Sequence, residues 1–173
     1  MIFTGFKRKS NQFFFDKQLP KLLKNSDRNL QGKIKKVLIF LNDVTEKIPV
    51  LNSLEKDLNI SKNNIKIIIF QQKIPKESTD EDMISLKDFG WYGKITSEKL
   101  KNILTKKYDL LINYSKVDNL YNNVLLLQSK TAFKAGFSHL DNRLYNLLIN
   151  CESSNLELFN KELKKYLTIL KKL

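Results

Sequence analysis

Lys35-Lys36-Val37-Leu38-Ile39-Phe40-Leu41 (KKVLIFL) is the stretch on which the fold turns. A strand with one wet face alternates apolar and polar residues with period two. Five apolar side chains in a row instead describe a strand buried on both faces, as in a parallel sheet covered by helices on either side. Two more runs read the same way, Asn64–Phe70 (NIKIIIF) and Tyr108–Asn113 (YDLLIN). Helical segments are expected between and after them. In Glu46–Leu58 the spacing of Ile48, Leu51, Leu54, Glu55 and Leu58 forms one stripe, and Ser97 is placed to cap a helix over Glu98–Lys107. A further helix follows over Leu120–Ser129, then short strands over Phe133–Phe137 and Leu147–Asn150. Leu156–Leu170 closes the chain as a helix that turns Leu158, Phe159, Leu163, Tyr166, Leu167 and Leu170 inward. Gln71–Asp88 reads as a polar loop with room for a short turn of helix, and Gly90-Trp91-Tyr92-Gly93 as a short extended piece. Its rings could stack on a base or plug the sheet edge, core packing being the commoner fate of a lone tryptophan and the one expected. Strand–helix alternation with double-sided strands gives an α/β class, a Rossmann-like and mostly parallel sheet flanked by helices.

Residues 1–32 differ in character. The first 36 residues hold ten basic side chains (Lys7, Arg8, Lys9, Lys17, Lys21, Lys24, Arg28, Lys33, Lys35, Lys36) against Asp16 and Asp27, which is +8 of the chain's net +13. Phe3, Phe6, Phe13, Phe14, Phe15, Leu19, Leu22 and Leu23 interleave with the lysines at roughly helical spacing. The pattern describes a basic amphipathic helical arm over residues 1–32, interrupted near Pro20 and ending in the polar loop Asn25–Gly32, ahead of a single α/β domain over residues 33–173. Lysines interleaved with phenylalanines suit phosphate backbones with stacking contacts. They equally suit an anionic membrane surface, or a helix packing its aromatics on the domain. Only Arg8, Arg28 and Arg143 are arginine; the lysine and asparagine bias matches an AT-rich genome, so where the charge lies says more than how much there is.

Several chemistries are excluded. One cysteine, Cys151, allows no internal disulfide or cysteine-rich zinc cluster, and no disulfide-linked partner is expected. One histidine, His139, rules out histidine-pair metal sites, so no metal ligands are assigned. Five glycines at positions 5, 32, 90, 93 and 136 spell neither phosphate-binding glycine signature, and the acidic turn Asn42–Glu46 would repel a pyrophosphate; no cofactor is expected. Ser138, His139 and Asp141 lie within four residues, but a nucleophile needs its base from across the fold, so no catalytic residues are assigned. A loop clamp between Asp141 and Arg143, or a cap by Ser138, explains them. Asp80, Glu81 and Asp82 read as a solvated run. The start of the chain carries no secretory leader and no run can span a bilayer, so a cytoplasmic location is expected.

Tyr108–Asn113 and Ser129–Asn150 (SKTAFKAGFSHLDNRLYNLLIN), with the basic start, KKVLIFL, the Trp91 region and the closing helix, resemble an uncharacterised family of small proteins from Bacteroidota, chiefly flavobacteria. That resemblance implies a bacterial cytoplasmic protein with no assigned activity. More locally, Tyr108–Ser138 is similar to the amino-terminal Rossmann-like lobe of heptosyltransferase-type glycosyltransferases, which implies the fold alone because the nucleotide-sugar lobe is missing.

The functional expectation is a non-enzymatic protein that binds RNA, or associates with ribosomal particles, through its basic amino-terminal segment. The alternative is a small-ligand domain, for a nucleotide or nucleotide sugar, or a vestigial enzyme. Its crevice would lie at the carboxyl ends of the strands and be built from Asn42, Asp43, Asn113, Ser115, Ser138 and Arg143.

Overall fold

The computed structural model describes residues 2–24, 32–75 and 77–173, with the side chains of Ile2, Phe3, Leu22 and Lys24 outside that description. The elements are α1 (Ile2–Lys24), β1 (Val37–Leu41), α2 (Lys47–Leu58), β2 (Ile65–Phe70), β3 (Met83–Ile84), α3 (Glu98–Thr105), β4 (Lys107–Asn113), α4 (Leu120–Gln128), β5 (Lys130–Phe137), β6 (Leu147–Ile149) and α5 (Leu156–Ile169). All six strands pair in parallel in the order β3-β2-β1-β4-β5-β6. This is the doubly wound, Rossmann-like arrangement, with strand order reversing between β1 and β4.

The two faces divide by residue parity along β1. Val37, Ile39 and Leu41 meet α2 and α5 through Val50, Leu54, Leu58, Phe159, Leu163 and Leu167. Leu38 and Phe40 face the other layer, where α1, α3 and α4 contribute Phe15, Leu19, Leu100, Ile103, Val124 and Leu125. Crossovers that run in opposite directions from β1 and β4 therefore carry their helices, α2 and α4, on opposite faces, which keeps one hand throughout. Ser97 does cap α3, accepting from Leu100 N.

Several expectations need correction. Residues 2–24 form one helix that passes through Pro20 without a break, and it is packed on the domain: Phe15 and Leu19 are core residues and Asn11 is fully buried. Pro20 is exposed, so the carbonyl its ring strips of a partner, that of Asp16, faces the solvent side, where water can hydrate it. The expected loop Asn25–Gly32 lies, apart from Gly32, outside the described residues.

In α2 the buried stripe is Val50, Leu54 and Leu58, while Ile48 is exposed. In the closing helix it narrows to Phe159, Leu163 and Leu167, leaving Leu158, Tyr166 and Leu170 partly in water, the last two near Leu147 of the short edge strand β6. The loop over Gln71–Asp88 hides β3. There Asp80 and Asp82 are not merely solvated: Lys47 Nζ lies 2.8 Å from each, and Lys66 Nζ 2.5 Å from Asp82. These pairs tie the edge of the sheet to α2 and β2.

Truncating Phe159, which packs 4.6 Å from the Phe137 ring and 5.1 Å from Tyr114, empties the middle of one layer. Phe159→Ala should lower unfolding free energy by roughly 3–5 kcal/mol in urea titrations, against less than about 0.5 kcal/mol for Ile48→Ala.

Lys134 gives a pH-dependent test. It is buried on β5 with Nζ donating to Leu126 O at 2.8 Å, and burial pushes its pKa down to about 8. Below that value both folded and unfolded chains carry the proton and the folded state bears the cost of the buried charge. Between about 8 and the unfolded value the unfolded chain binds more protons, so stability rises with pH. Lys134→Met should therefore stabilise the protein at pH 7, by at most about 3 kcal/mol, with the advantage shrinking as pH climbs from 8 to 10.

Candidate functional site

Two features stand out, and α1 contributes to both. The first is the Gly90–Gly93 loop. Asn11, whose side chain is fully buried, donates from Nδ2 to Gly90 O at 3.0 Å and accepts at Oδ1 from Gly93 N at 2.9 Å. Ser10 Oγ accepts from Tyr92 N at 3.3 Å, and Gln128 Nε2 on α4 donates to Gly93 O at 2.8 Å. Two helices thus hold this loop by its backbone. The loop bends sharply: Tyr92 has φ 52° and Gly93 φ 73°, both left-handed, a costly choice for an aromatic residue.

The outcome is that Trp91 and Tyr92 point outward, 46% and 62% exposed, which corrects the expectation of a core tryptophan. Beside them Phe6 and Phe13 are more than half exposed, and the Phe13 and Tyr92 rings meet edge to face at 6.4 Å. With Lys9 and Ser10 these four rings line a shallow hollow of about 370 Å³.

Spacing along α1 puts Phe6, Lys9, Phe13 and Lys17 on one outer stripe. Arg8, Lys9, Lys17 and Lys21 are exposed, and Lys7 turns inward to donate to Leu86 O at 2.9 Å. Lys33, Lys35 and Lys36 are also exposed, at the amino end of β1, where Asp109 Oδ2 accepts from the backbone of Lys35 and Lys36 at 2.8 Å each. Arg28 lies outside the described residues, and the Lys24 side chain is outside the description.

The second feature is a cavity of about 870 Å³ at the carboxyl ends of β1, β2 and β4, where strand order reverses. Of the six crevice residues expected from sequence, only Asn42 lines it. Asp43 instead accepts from Thr45 N, and that bond holds its carboxyl below the usual carboxylate range. Asn113 is buried, donating to Tyr145 Oη at 2.7 Å and accepting from Ser115 N at 3.0 Å; Ser115 Oγ accepts from Asn122 at 2.8 Å. Ser138 Oγ lies 3.1 Å from Asn150 Oδ1, so it caps no helix, and His139 Nε2 sits 3.1 Å from Ser115 O.

Arg143 grips Asp141 with two nitrogens at 2.8 and 2.6 Å, holding that carboxyl below its ordinary pKa, while its guanidinium lies 5.9 Å over the Phe15 ring. The loop clamp read from sequence is present, and it occupies the arginine. The cavity is lined instead by Arg8, Lys73, Lys116, Leu120 and Tyr121, among others. Their common signal was available, since all but Arg8 follow the carboxyl end of a strand or open the next helix.

The family model described as "Family of unknown function (DUF6913)" matches residues 7–170. The chain belongs to this family. The match takes in α1 from Lys7 onward. No curated protein and no solved structure matches the chain significantly. Among the described residues no group of His, Cys, Asp and Glu could hold a metal ion, and no helix is long and apolar enough to cross a membrane.

Removing the Asn11 amide would leave Gly90 O and Gly93 N without partners. Asn11→Leu should lower stability by roughly 1–3 kcal/mol and speed hydrogen exchange at Tyr92 and Gly93. Gly93→Ala should cost more, because a Cβ there would clash with the edge of the Phe14 ring on a backbone already at positive φ.

Proposed function

We propose that this chain is a non-enzymatic RNA-binding protein, ribosomal particles included among its targets, and that RNA lies along the outer face of α1. One observation carries the reading: Trp91 and Tyr92 are held outward by buried polar side chains, next to exposed Phe6 and Phe13 and in line with Lys9 and Lys17. Leaving four large rings in water favours neither folding nor solubility, so they are better accounted for as a contact surface. Their lysine neighbours and the net charge of +13 point to a polyanion. Single-stranded nucleic acid has both properties that the face addresses: bases to stack on aromatic rings and phosphates to meet lysines. A helix of 23 residues, about 34 Å long, gives room for several nucleotides.

In filter binding with a short single-stranded RNA, Trp91→Ala should cost roughly 1–3 kcal/mol of affinity. The double change Lys9→Glu and Lys17→Glu should weaken binding more than tenfold and flatten the slope of log K against log salt by roughly 1.4, for two lost contacts to a single strand. In cell lysate, co-sedimentation with ribosomal particles at low salt and release at high salt is expected. Wild-type protein that ignores the RNA but binds anionic vesicles through these same residues would overturn the reading.

A further inference from the structure

We propose that the cavity at the carboxyl ends of β1, β2 and β4 binds a nucleoside phosphate, as a second site distinct from the aromatic face of α1. Its position is where an open parallel sheet leaves a crevice between diverging crossovers, and about 870 Å³ suits a ligand of mononucleotide size.

The charges on its wall do not balance. Lys116 is matched by Glu46, whose Oε1 lies 2.7 Å from Nζ. The Asp118 carboxylate accepts from the Asn123 amide at 3.1 and 3.2 Å but keeps its negative charge, which offsets one of the remaining cations. Arg8 and Lys73 have no ion pair or hydrogen bond among the described residues, and they approach from different elements, α1 and the segment after β2. The first turn of α4, capped by Asn119, adds the positive end of a helix dipole to the same wall. An anion is the ligand that this surplus recognises.

The remaining wall argues for more than a bare anion. The Phe70 and Tyr121 rings stack at 5.5 Å and 17°, and Leu86, Val117 and Leu120 extend the apolar lining. Asn42 also lines the cavity, and its Oδ1 is buried without a hydrogen-bond partner among the described residues. A ligand hydroxyl or amine would supply the missing donor. Phosphate for Arg8 and Lys73, a flat ring for the apolar wall and a hydroxyl or amine for Asn42 together describe a nucleoside phosphate.

The acidic β1–α2 turn is no obstacle. Asp43 is turned to Thr45 N and Glu46 to Lys116, and neither lines the cavity. That turn has no glycine, so the phosphate is placed against α1 and α4 and not at the start of α2.

The test is calorimetric titration of the full chain at physiological salt with ADP, GDP, CDP, UDP, the parent nucleosides and inorganic pyrophosphate. At least one diphosphate should bind saturably, at least tenfold tighter than its nucleoside and than pyrophosphate. Lys73→Glu and Asn42→Leu should each weaken it at least tenfold, whereas Lys161→Glu, an equal charge change on exposed α5, should not. Lys73 is exposed on a loop, so its variant stays folded even where Asn42→Leu does not. No saturable binding to wild type, equal binding of pyrophosphate, or equal losses in Lys73→Glu and Lys161→Glu would overturn the proposal. The proposal does not rest on the RNA reading: loss of RNA binding in Trp91→Ala is read on a separate face.

Discussion

Five consecutive side chains of β1, Val37 through Leu41, have no exposure to solvent, and the rest of the architecture answers to that requirement. A central strand can be dry on both sides only if it has neighbours at both edges and a helix layer over each face. β2 and β4 supply the edges. One layer is provided by α2 and α5. The other needs α1, because α3 is eight residues long and α4 nine, too short to cover Leu38, Phe40, Ile68 and Leu111 without Phe15 and Leu19. The amino-terminal helix is thereby a structural member before it is anything else.

The composition of α1 goes beyond that structural duty. A helix that only bound a polyanion could be polar all round, and one that only covered a sheet would bury its aromatics. In α1 the inner residues Asn11, Phe15 and Leu19 are taken up by the fold, while Phe6, Lys9, Phe13 and Lys17 remain outside. Because the inner face is bonded to Gly90 and Gly93, the position of Trp91 and Tyr92 depends on the same helix. Covering the sheet and presenting the rings are mechanically one arrangement.

The strands and helices were legible because their signals are local. Uninterrupted apolar runs named β1, β2 and β4 to within one or two residues, and the spacing of Leu54 and Leu58 named α2. β3 escaped because two residues carry no periodicity; its place is set by Asp80 and Asp82 meeting Lys47 and Lys66, contacts that no window along the chain contains. Trp91 was misread for the same reason. Burial is the usual fate of tryptophan, but here the outcome is decided by an asparagine 79 residues or more away that fixes the loop backbone. The cavity was legible in position and not in membership. Strand order located the crevice, whereas side-chain partners decided that Arg143 would clamp Asp141, that Ser115 and Asn113 would be buried, and that Arg8 would come in from α1.

The placement of Tyr92 carries the functional argument furthest. A left-handed backbone at an aromatic residue costs on the order of 1–2 kcal/mol, and a glycine there would remove the cost. Three polar side chains, from Ser10, Asn11 and Gln128, meet the loop backbone and offset that strain, yet the ring they position stays 62% in water and gains little by burial. A structure that only had to fold would be as well served by Gly-Gly at the turn. The strain becomes intelligible once the ring has an external partner, because a ring already held in place loses little conformational entropy when a flat group stacks on it.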